Sequence, residues 1–249
     1  MQADPRQEGS TRERAEAAYD ALADRVETRV QDALDRLPPA VKPRLRGWLH
    51  LGAVPVVAIG CLVLLVVAED TSTRAAVAVY TATSLLLFSV SALYHRGSWK
   101  PSMEAFLRRL DHANIFLIIA GTYTPYAVML LPPDRARLLL VLVWSGAVAG
   151  VAFRLVWLSA ARWTYVVAYL VLGWTALFFI GDLVRAGGVA ILILMLLGGL
   201  LYTIGALVYA TKKPDPSPRW FGYHEVFHAL TLGAWLSFYV GIAVIVARG

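Results

Sequence analysis

The feature that most constrains this chain is a series of apolar stretches, each long enough to cross a lipid bilayer. A helix rises 1.5 Å per residue and the hydrocarbon core is about 30 Å thick, so roughly 20 apolar residues make one crossing. Short connections separate the stretches, and they contain helix breakers such as Pro132-Pro133 and Gly187-Gly188. The stretches lie near residues 47–68, 75–95, 110–131, 138–158, 164–181, 189–210 and 223–247. We therefore predict an all-α integral membrane protein, a bundle of seven transmembrane helices.

The composition agrees with a membrane protein and excludes an ordinary soluble domain. Hydrophobic residues make up 58% of the chain and charged residues 16%, so lipid has to serve as part of its solvent. The net charge of +6 does not indicate a nucleic-acid partner, because residues 1–46 carry nine basic and nine acidic side chains and the excess lies in the membrane loops. We expect a multi-pass protein of the cell (plasma) membrane, with lipids as its partners.

The first 46 residues form a separate, polar segment ahead of the transmembrane domain of residues 47–249. Within residues 11–37, apolar side chains recur every three or four positions between charges, which is typical of an amphipathic helix. Pro38 and Pro39 end this pattern. We predict a cytoplasmic helix that lies along the membrane or associates with a second copy of itself. A regulatory domain is the alternative.

The distribution of Lys and Arg predicts how the helices are oriented. Counting loops alternately assigns fourteen basic residues to the side of the N-terminus and five to the opposite side. Loops rich in positive charge stay in the cytoplasm. This places the N-terminus in the cytoplasm and, after seven crossings, the C-terminus outside.

Five polar side chains lie at the cytoplasmic ends of three predicted helices. His224 and His228 are four residues apart and so share one helix face, as do Ser91 and His95, while Asp111 opens the third span. Ionisable groups in a membrane are costly and indicate function. If these helix ends are neighbours, His95, His224 and His228 converge, and three imidazoles with one water form the open tetrahedral site typical of catalytic zinc. We predict a zinc site made by these histidines.

The neighbouring residues leave several roles open. Asp111 could orient or deprotonate the water, and Ser91 could hold the water, a substrate carbonyl or an imidazole. Residues 224–228 also fit the H-E-x-x-H pattern of zinc proteases, in which the glutamate is the base. We favour a solvated Glu225 at a helix N-terminus. His50 stands alone at the start of its span, and we expect it to be interfacial.

Four motifs resemble a known membrane-protein family: Ser91-Ala-Leu-Tyr-His95, Asp111-His-Ala-Asn-Ile, Ala120-Gly-Thr-Tyr-Thr-Pro-Tyr126 and Gly222-Tyr-His-Glu-Val-Phe-His228. They are similar to the hemolysin III branch of the progestin and adiponectin receptor family, over roughly residues 45–247. The resemblance implies seven helices with the N-terminus inside and a Zn²⁺ ion bound by His95, His224 and His228. It also implies that Asp111 and Ser91 act beside the metal.

Three functions compete. The first is a zinc-dependent hydrolase for a lipid amide or ester, because relatives of this family are associated with ceramide hydrolysis and membrane-lipid homeostasis. The second is a non-enzymatic cytolysin or membrane sensor in which zinc is structural. A water-filled pore is disfavoured because several of the spans are almost entirely apolar. The third is an intramembrane zinc protease that depends on Glu225.

Overall fold

The computed structural model describes residues 43–156 and 162–248. The predicted helix within residues 11–37, and self-association through it, lie outside these residues. The described ranges contain seven α-helices, one 3-10 helix and no β-strand. The helices are α1 (Trp48–Val67), α2 (Thr71–Arg96), α3 (Pro101–Leu130), α4 (Pro133–Val156), α5 (Arg162–Gly173), α6 (Ile180–Thr211) and α7 (Tyr223–Val246), with the 3-10 helix (Trp174–Phe179) between α5 and α6.

Six segments of the described residues are long and apolar enough to cross a membrane. Five of them are α1, α2, α3, α4 and α7, and the sixth is the 49-residue segment Trp163–Thr211. A straight helix of that length would extend about 73 Å, more than twice the thickness of the hydrocarbon core. The prediction of a helical membrane bundle is therefore confirmed, and the sixth segment is too long for one straight crossing.

The long segment folds back on itself. The Trp174 indole donates a hydrogen bond to the Thr203 hydroxyl at 3.1 Å, across 29 residues of sequence. Between them, Gly188 has a φ of 79°, and its ψ of 173° is not helical. A residue with a side chain adopts that conformation only with strain. The reversal thus occurs at the Gly187-Gly188 pair, the break that separates the fifth and sixth predicted spans.

Helix α3 is the centre of the bundle. In its most apolar window 72% of the residues are buried, against 28–50% in the other five segments. It packs lengthwise against α2 and α4 and also touches α5, α6 and α7, while α1 closes the arrangement against α2 and α7. Glycines permit some of the close contacts, since Gly150 lies against Phe116 of α3 and Gly198 against Phe238 of α7. Side chains on the inner face of α3 therefore line the middle of the protein.

Asp70 caps the N-terminus of α2 outside the membrane-spanning segments. Its carboxylate accepts hydrogen bonds from the backbone N–H groups of Ser72 and Thr73, both at 2.9 Å, and from the Ser72 hydroxyl. Bonds from Ser72 and then from Thr73 stabilise the ionised form and hold the pKa of this carboxyl well below its usual range. The cap satisfies backbone donors that the first turn of a helix leaves unpaired.

Candidate metal centre

Three helix ends meet at one end of the bundle and carry the predicted polar residues. His95 is the penultimate residue of α2, Asp111 lies within the first three turns of α3, and His224 and His228 lie in the first two turns of α7. The structure thus places these residues at the same level of the bundle, although Asp111 lies about 15 Å along α3 from its first residue, Pro101. The segment before α1 contacts the loop before α7. The backbone N–H of Leu45 donates a hydrogen bond to the carbonyl oxygen of Trp220 at 3.1 Å.

The three histidines form a compact, buried cluster. One ring nitrogen from each of His95, His224 and His228 lies within 4.8 Å of the other two. The Nε2 atoms of His95 and His224 are 3.1 Å apart. The three side chains are 5%, 8% and 2% exposed, respectively. They belong to two helices that are distant in sequence, so the fold itself brings the nitrogens together.

The cluster has the donor atoms and spacing that a tetrahedral metal ion requires. Zinc binds histidine nitrogen at about 2.0–2.1 Å, which places neighbouring ligand atoms about 3.3 Å apart in a tetrahedron. The separations here bracket that value, from 3.1 Å to at most 4.8 Å. The three atoms within this spacing are all imidazole nitrogens, which suit a borderline-soft cation better than calcium or magnesium, because those two prefer oxygen ligands. The three histidines are therefore a candidate metal site.

Asp111 and Ser91 lie beside the cluster. The Oδ2 atom of Asp111 is 3.7 Å from Nε2 of His95, and the Asp111 side chain is 13% exposed. The Ser91 hydroxyl lies near the Asp111 carboxylate but has no hydrogen-bond partner in the described part of the chain, although the residue is 1% exposed. A buried hydroxyl without a partner costs about 1–3 kcal/mol. Both side chains are therefore positioned to bind water or a ligand near the histidines.

His50 is buried, so the expectation that it is interfacial was wrong. It is 2% exposed in the first turn of α1. Its ring stacks on His228, with 3.8 Å between ring centroids and 11° between the planes, and meets Phe88 edge-on at 5.0 Å. The sequence did contain a reason to group His50 with the site. The distribution of basic loop residues, which placed Asp111 and His95 at the cytoplasmic end, also places the start of the first span at that end.

Glu225 is also buried, which corrects the prediction of a solvated carboxylate. It is 1% exposed, forms an ion pair with Arg46 and accepts a hydrogen bond from the Gly222 N–H at 2.8 Å. The second bond caps α7, so the assignment to a helix N-terminus was right although the assignment to solvent was not. Glu225 does not line the cavity described below. Its position is that of a structural residue rather than of a base directed at a substrate.

An apolar cavity opens from the histidine cluster into the bundle. Its polar end is lined by His50, Ser91, Asp111, His224 and His228. From there it follows α3 to Tyr126 and is enclosed mainly by aliphatic and aromatic side chains of α3, α5, α6 and α7. The sixteen residues from Asp111 to Tyr126 span about 22 Å along the helix axis. An apolar space of this length, with polar groups at one end, matches an amphipathic ligand.

His112 lines the same cavity but lies outside the three-histidine cluster. Its Nε2 atom is hydrogen-bonded to the Tyr209 hydroxyl at 2.9 Å, and its Nδ1 atom lies 2.6 Å from the Arg108 carbonyl oxygen. Both ring nitrogens therefore have protein partners. Its omission from the predicted metal ligands agrees with this arrangement.

The fold and the site together define a multi-pass helical membrane protein with a buried histidine cluster at one end of an apolar cavity. The chain matches the haemolysin-III related family over residues 40–239. It belongs to that family, the hemolysin III branch of the progestin and adiponectin receptor family.

Two curated Bacillus proteins show the extent of the similarity. The hemolysin-3 homolog of Bacillus subtilis (strain 168) is 32% identical over 155 residues, which is 62% of this chain and 70% of the relative. The hemolysin-3 of Bacillus cereus is 28% identical over 206 residues, 81% of this chain and 91% of the relative. The predicted family is thus confirmed.

Proposed function

We propose that this protein is a zinc-dependent membrane hydrolase that cleaves an amide or ester bond of a lipid and acts in membrane-lipid homeostasis. The observation that carries the proposal is the position of the histidine cluster, with Asp111 and Ser91, at the polar end of an apolar cavity. The side chains suited to hydrolysis therefore lie next to a cavity suited to an acyl chain.

The size of the cavity supports a lipid rather than a small polar substrate. One leaflet contributes about 15 Å to the hydrocarbon core, and the cavity follows α3 for about 22 Å. An acyl chain can therefore extend from the histidine end toward Tyr126. The amide or ester at its head would then lie beside Asp111 and Ser91, as expected for a ceramide-like substrate.

His95, His224 and His228 would hold the zinc ion. When bound, zinc supplies a Lewis acid that polarises a carbonyl and acidifies a coordinated water. The protein contributes the dry, shaped environment that makes such electrostatic effects strong, since all three ligands are at most 8% exposed. The all-nitrogen donor set and the spacing of the ring nitrogens support zinc as the proposed metal.

In the proposed reaction Asp111 transfers the proton and Ser91 binds the substrate carbonyl. Asp111 Oδ2 accepts a proton from the water whose oxygen bonds to the substrate carbonyl carbon. The bond from that carbon to the leaving nitrogen or oxygen then breaks, and Asp111 returns the proton to the leaving atom, so an acid and an amine or alcohol are released. The Ser91 hydroxyl donates a hydrogen bond to the substrate carbonyl.

The proposed topology has seven crossings, with the N-terminus in the cytoplasm, the C-terminus outside and the protein in the plasma membrane. The fold-back within Trp163–Thr211 supports two crossings by that segment, and the basic loops support the orientation.

Single cysteines placed between the predicted spans test this topology, because the native Cys61 is buried. A cysteine at position 216 should react with a membrane-impermeant maleimide only from the cytoplasm, and one at position 185 only from outside. Labelling of both from the same side would contradict the topology.

Mass spectrometry of lipid products tests the activity. Purified protein reconstituted with zinc is incubated with a panel of ceramides, N-acyl amides and acyl esters in phosphatidylcholine nanodiscs. Release of a free fatty acid from at least one of them, abolished in His228→Ala, is the expected result. No turnover of any lipid by zinc-loaded protein would contradict the proposal.

A cytolysin or membrane sensor with a structural metal is the second candidate. The names of the two Bacillus relatives refer to hemolysis, and a metal held between the end of α2 and the start of α7 would fasten those helices together. This candidate predicts red-cell lysis or sensing that is retained in Asp111→Asn. The hydrolase predicts that Asp111→Asn is inactive.

A further inference from the structure

Four buried polar atoms without partners lie along a single cavity. In the described part of the chain, six buried side-chain nitrogen or oxygen atoms have no hydrogen-bond partner. Four of them belong to His50, Ser91 and Tyr202, which all line the cavity. Buried polar groups in folded proteins are almost always paired. Their concentration at this cavity indicates a ligand that supplies the missing partners.

His50 is the most unusual member of this set because both of its ring nitrogens lack a partner. One of them lies near the backbone of His228 but is not hydrogen-bonded to it. A neutral imidazole offers one donor and one acceptor. An apolar side chain would fill the same space without leaving polar atoms unpaired, so packing alone does not explain a histidine here.

The surroundings of His50 fix the direction of its ring. The ring is stacked on His228 and held edge-on by Phe88. It is not a member of the cluster whose nitrogens lie within 4.8 Å of one another. Because it lies parallel to a candidate metal ligand without joining that cluster, its nitrogens remain available to whatever occupies the polar end of the cavity.

We propose that His50 is a substrate-binding residue which, together with Ser91, hydrogen-bonds the polar head of a lipid whose acyl chain occupies the cavity. This inference rests on the proposed function for the choice of lipid. The two side chains together offer donors and acceptors, so they fit a head that contains an amide or a hydroxyl group. His50 comes from α1 and Ser91 from α2, so a bound lipid would bridge the first two helices.

Two substitutions separate binding from packing. His50→Phe keeps an aromatic ring to stack on His228 but removes both nitrogens. His50→Gln keeps one donor and one acceptor without the ring. Wild type and both variants are loaded with zinc in phosphatidylcholine nanodiscs, and C16 ceramide is the probe; for the Kd measurement each also carries Asp111→Asn, so that the probe is not cleaved. Native mass spectrometry gives the ceramide Kd, atomic absorption gives the zinc content, and thermal unfolding is followed without ceramide.

The proposal predicts that His50→Phe binds ceramide about tenfold more weakly, as expected for the loss of one hydrogen bond. Its zinc content should match that of wild type. Its unfolding temperature without ceramide should be equal or higher, because two unpaired buried atoms are gone. His50→Gln should recover part of the affinity. This combination excludes a role in packing, which would lower stability and leave binding unchanged.

Three results would overturn the proposal. The first is a ceramide Kd of His50→Phe that equals that of wild type. The second is loss of zinc from His50→Phe. The third is a wild-type protein that binds neither added ceramide nor a co-purified lipid. Failure of the proposed function looks different, because wild type would then bind ceramide without releasing fatty acid. In that event the comparison of Kd values still decides the role of His50.

Discussion

The Nε2 atoms of His95 and His224 lie 3.1 Å apart although 129 residues separate them in the chain. His228 completes the group from the next turn of α7. The Asp111 carboxylate lies beside them, with its Oδ2 atom 3.7 Å from the Nε2 atom of His95. Two helices from opposite halves of the sequence are thus joined at one point.

Removing one histidine should remove the metal. His228→Ala leaves two ligands, too few for a stable zinc site, so we expect its zinc content after dialysis to fall at least tenfold below that of wild type. The unfolding temperature of wild type should drop when zinc is chelated, because a ligand bound only to the folded state stabilises it. Atomic absorption and thermal unfolding measure both effects.

His112→Ala is the matched control, since His112 lies outside the cluster and is bonded to Tyr209. It should retain zinc. Equal zinc content in His228→Ala and wild type would exclude the cluster as the metal site.

Breaking the Arg46–Glu225 ion pair should destabilise the protein without stopping hydrolysis. Glu225→Gln keeps an acceptor for the Gly222 N–H but leaves Arg46, which is 18% exposed, without its counter-charge. We expect a loss of about 1–3 kcal/mol in unfolding free energy. Turnover per zinc-loaded molecule should stay within about threefold of wild type, since general-base residues contribute on the order of 100-fold or more. A loss of that larger size would instead identify Glu225 as a general base, the role that the protease hypothesis gives it.

The contact between α2 and α3 should be sensitive to a single methyl group. A Cβ atom added at Gly121 would overlap the Thr83 side chain, whereas one added at Gly52 meets nothing within 4 Å. Gly121→Ala should therefore lower the unfolding free energy by about 1–3 kcal/mol. Gly52→Ala should raise it by about 0.5–1 kcal/mol through helix propensity. Equal unfolding temperatures for the two variants would show that α2 and α3 are not packed at this point.

The Asp70 cap should give α2 a stability that depends on pH. Because the folded-state pKa of Asp70 is held below its usual value, its contribution is complete above the unfolded pKa of about 3.9 and is lost as pH falls through the folded pKa. Asp70→Asn keeps a capping side chain without the charge. Wild type should therefore keep its full advantage over Asp70→Asn from pH 6 to about pH 4 and lose it progressively as the pH is lowered further toward 2 in thermal unfolding. A difference that does not vary with pH would contradict this role.

The positions of the helices were predictable because long apolar runs report directly on membrane crossings. The breaks at Pro132 and Pro133 and at Gly187 and Gly188 were also predicted, since proline and a left-handed glycine interrupt helices for local reasons. The fold-back between Trp174 and Thr203 depends on a contact between distant residues, which the sequence pattern does not specify.

Part of the site was predictable from helix periodicity and from the distribution of charge. Helix periodicity places His224 and His228 on one face, and the distribution of basic residues places Asp111 and His95 at the same depth. His50 was missed because it has no partner on its own helix, and its stacking on His228 is a tertiary contact. Glu225 was misjudged because its counter-charge, Arg46, lies 179 residues away in sequence.

The central claim is that this site hydrolyses a lipid, and Asp111→Asn tests it most directly. The substitution keeps the size of the side chain and leaves the three histidines in place, while it removes the group that accepts the proton. Fatty-acid release from the lipid that wild type cleaves should fall by a factor of about 100 or more, with zinc content unchanged. Full turnover by zinc-loaded Asp111→Asn, or no lipid turnover by zinc-loaded wild type, would contradict the claim.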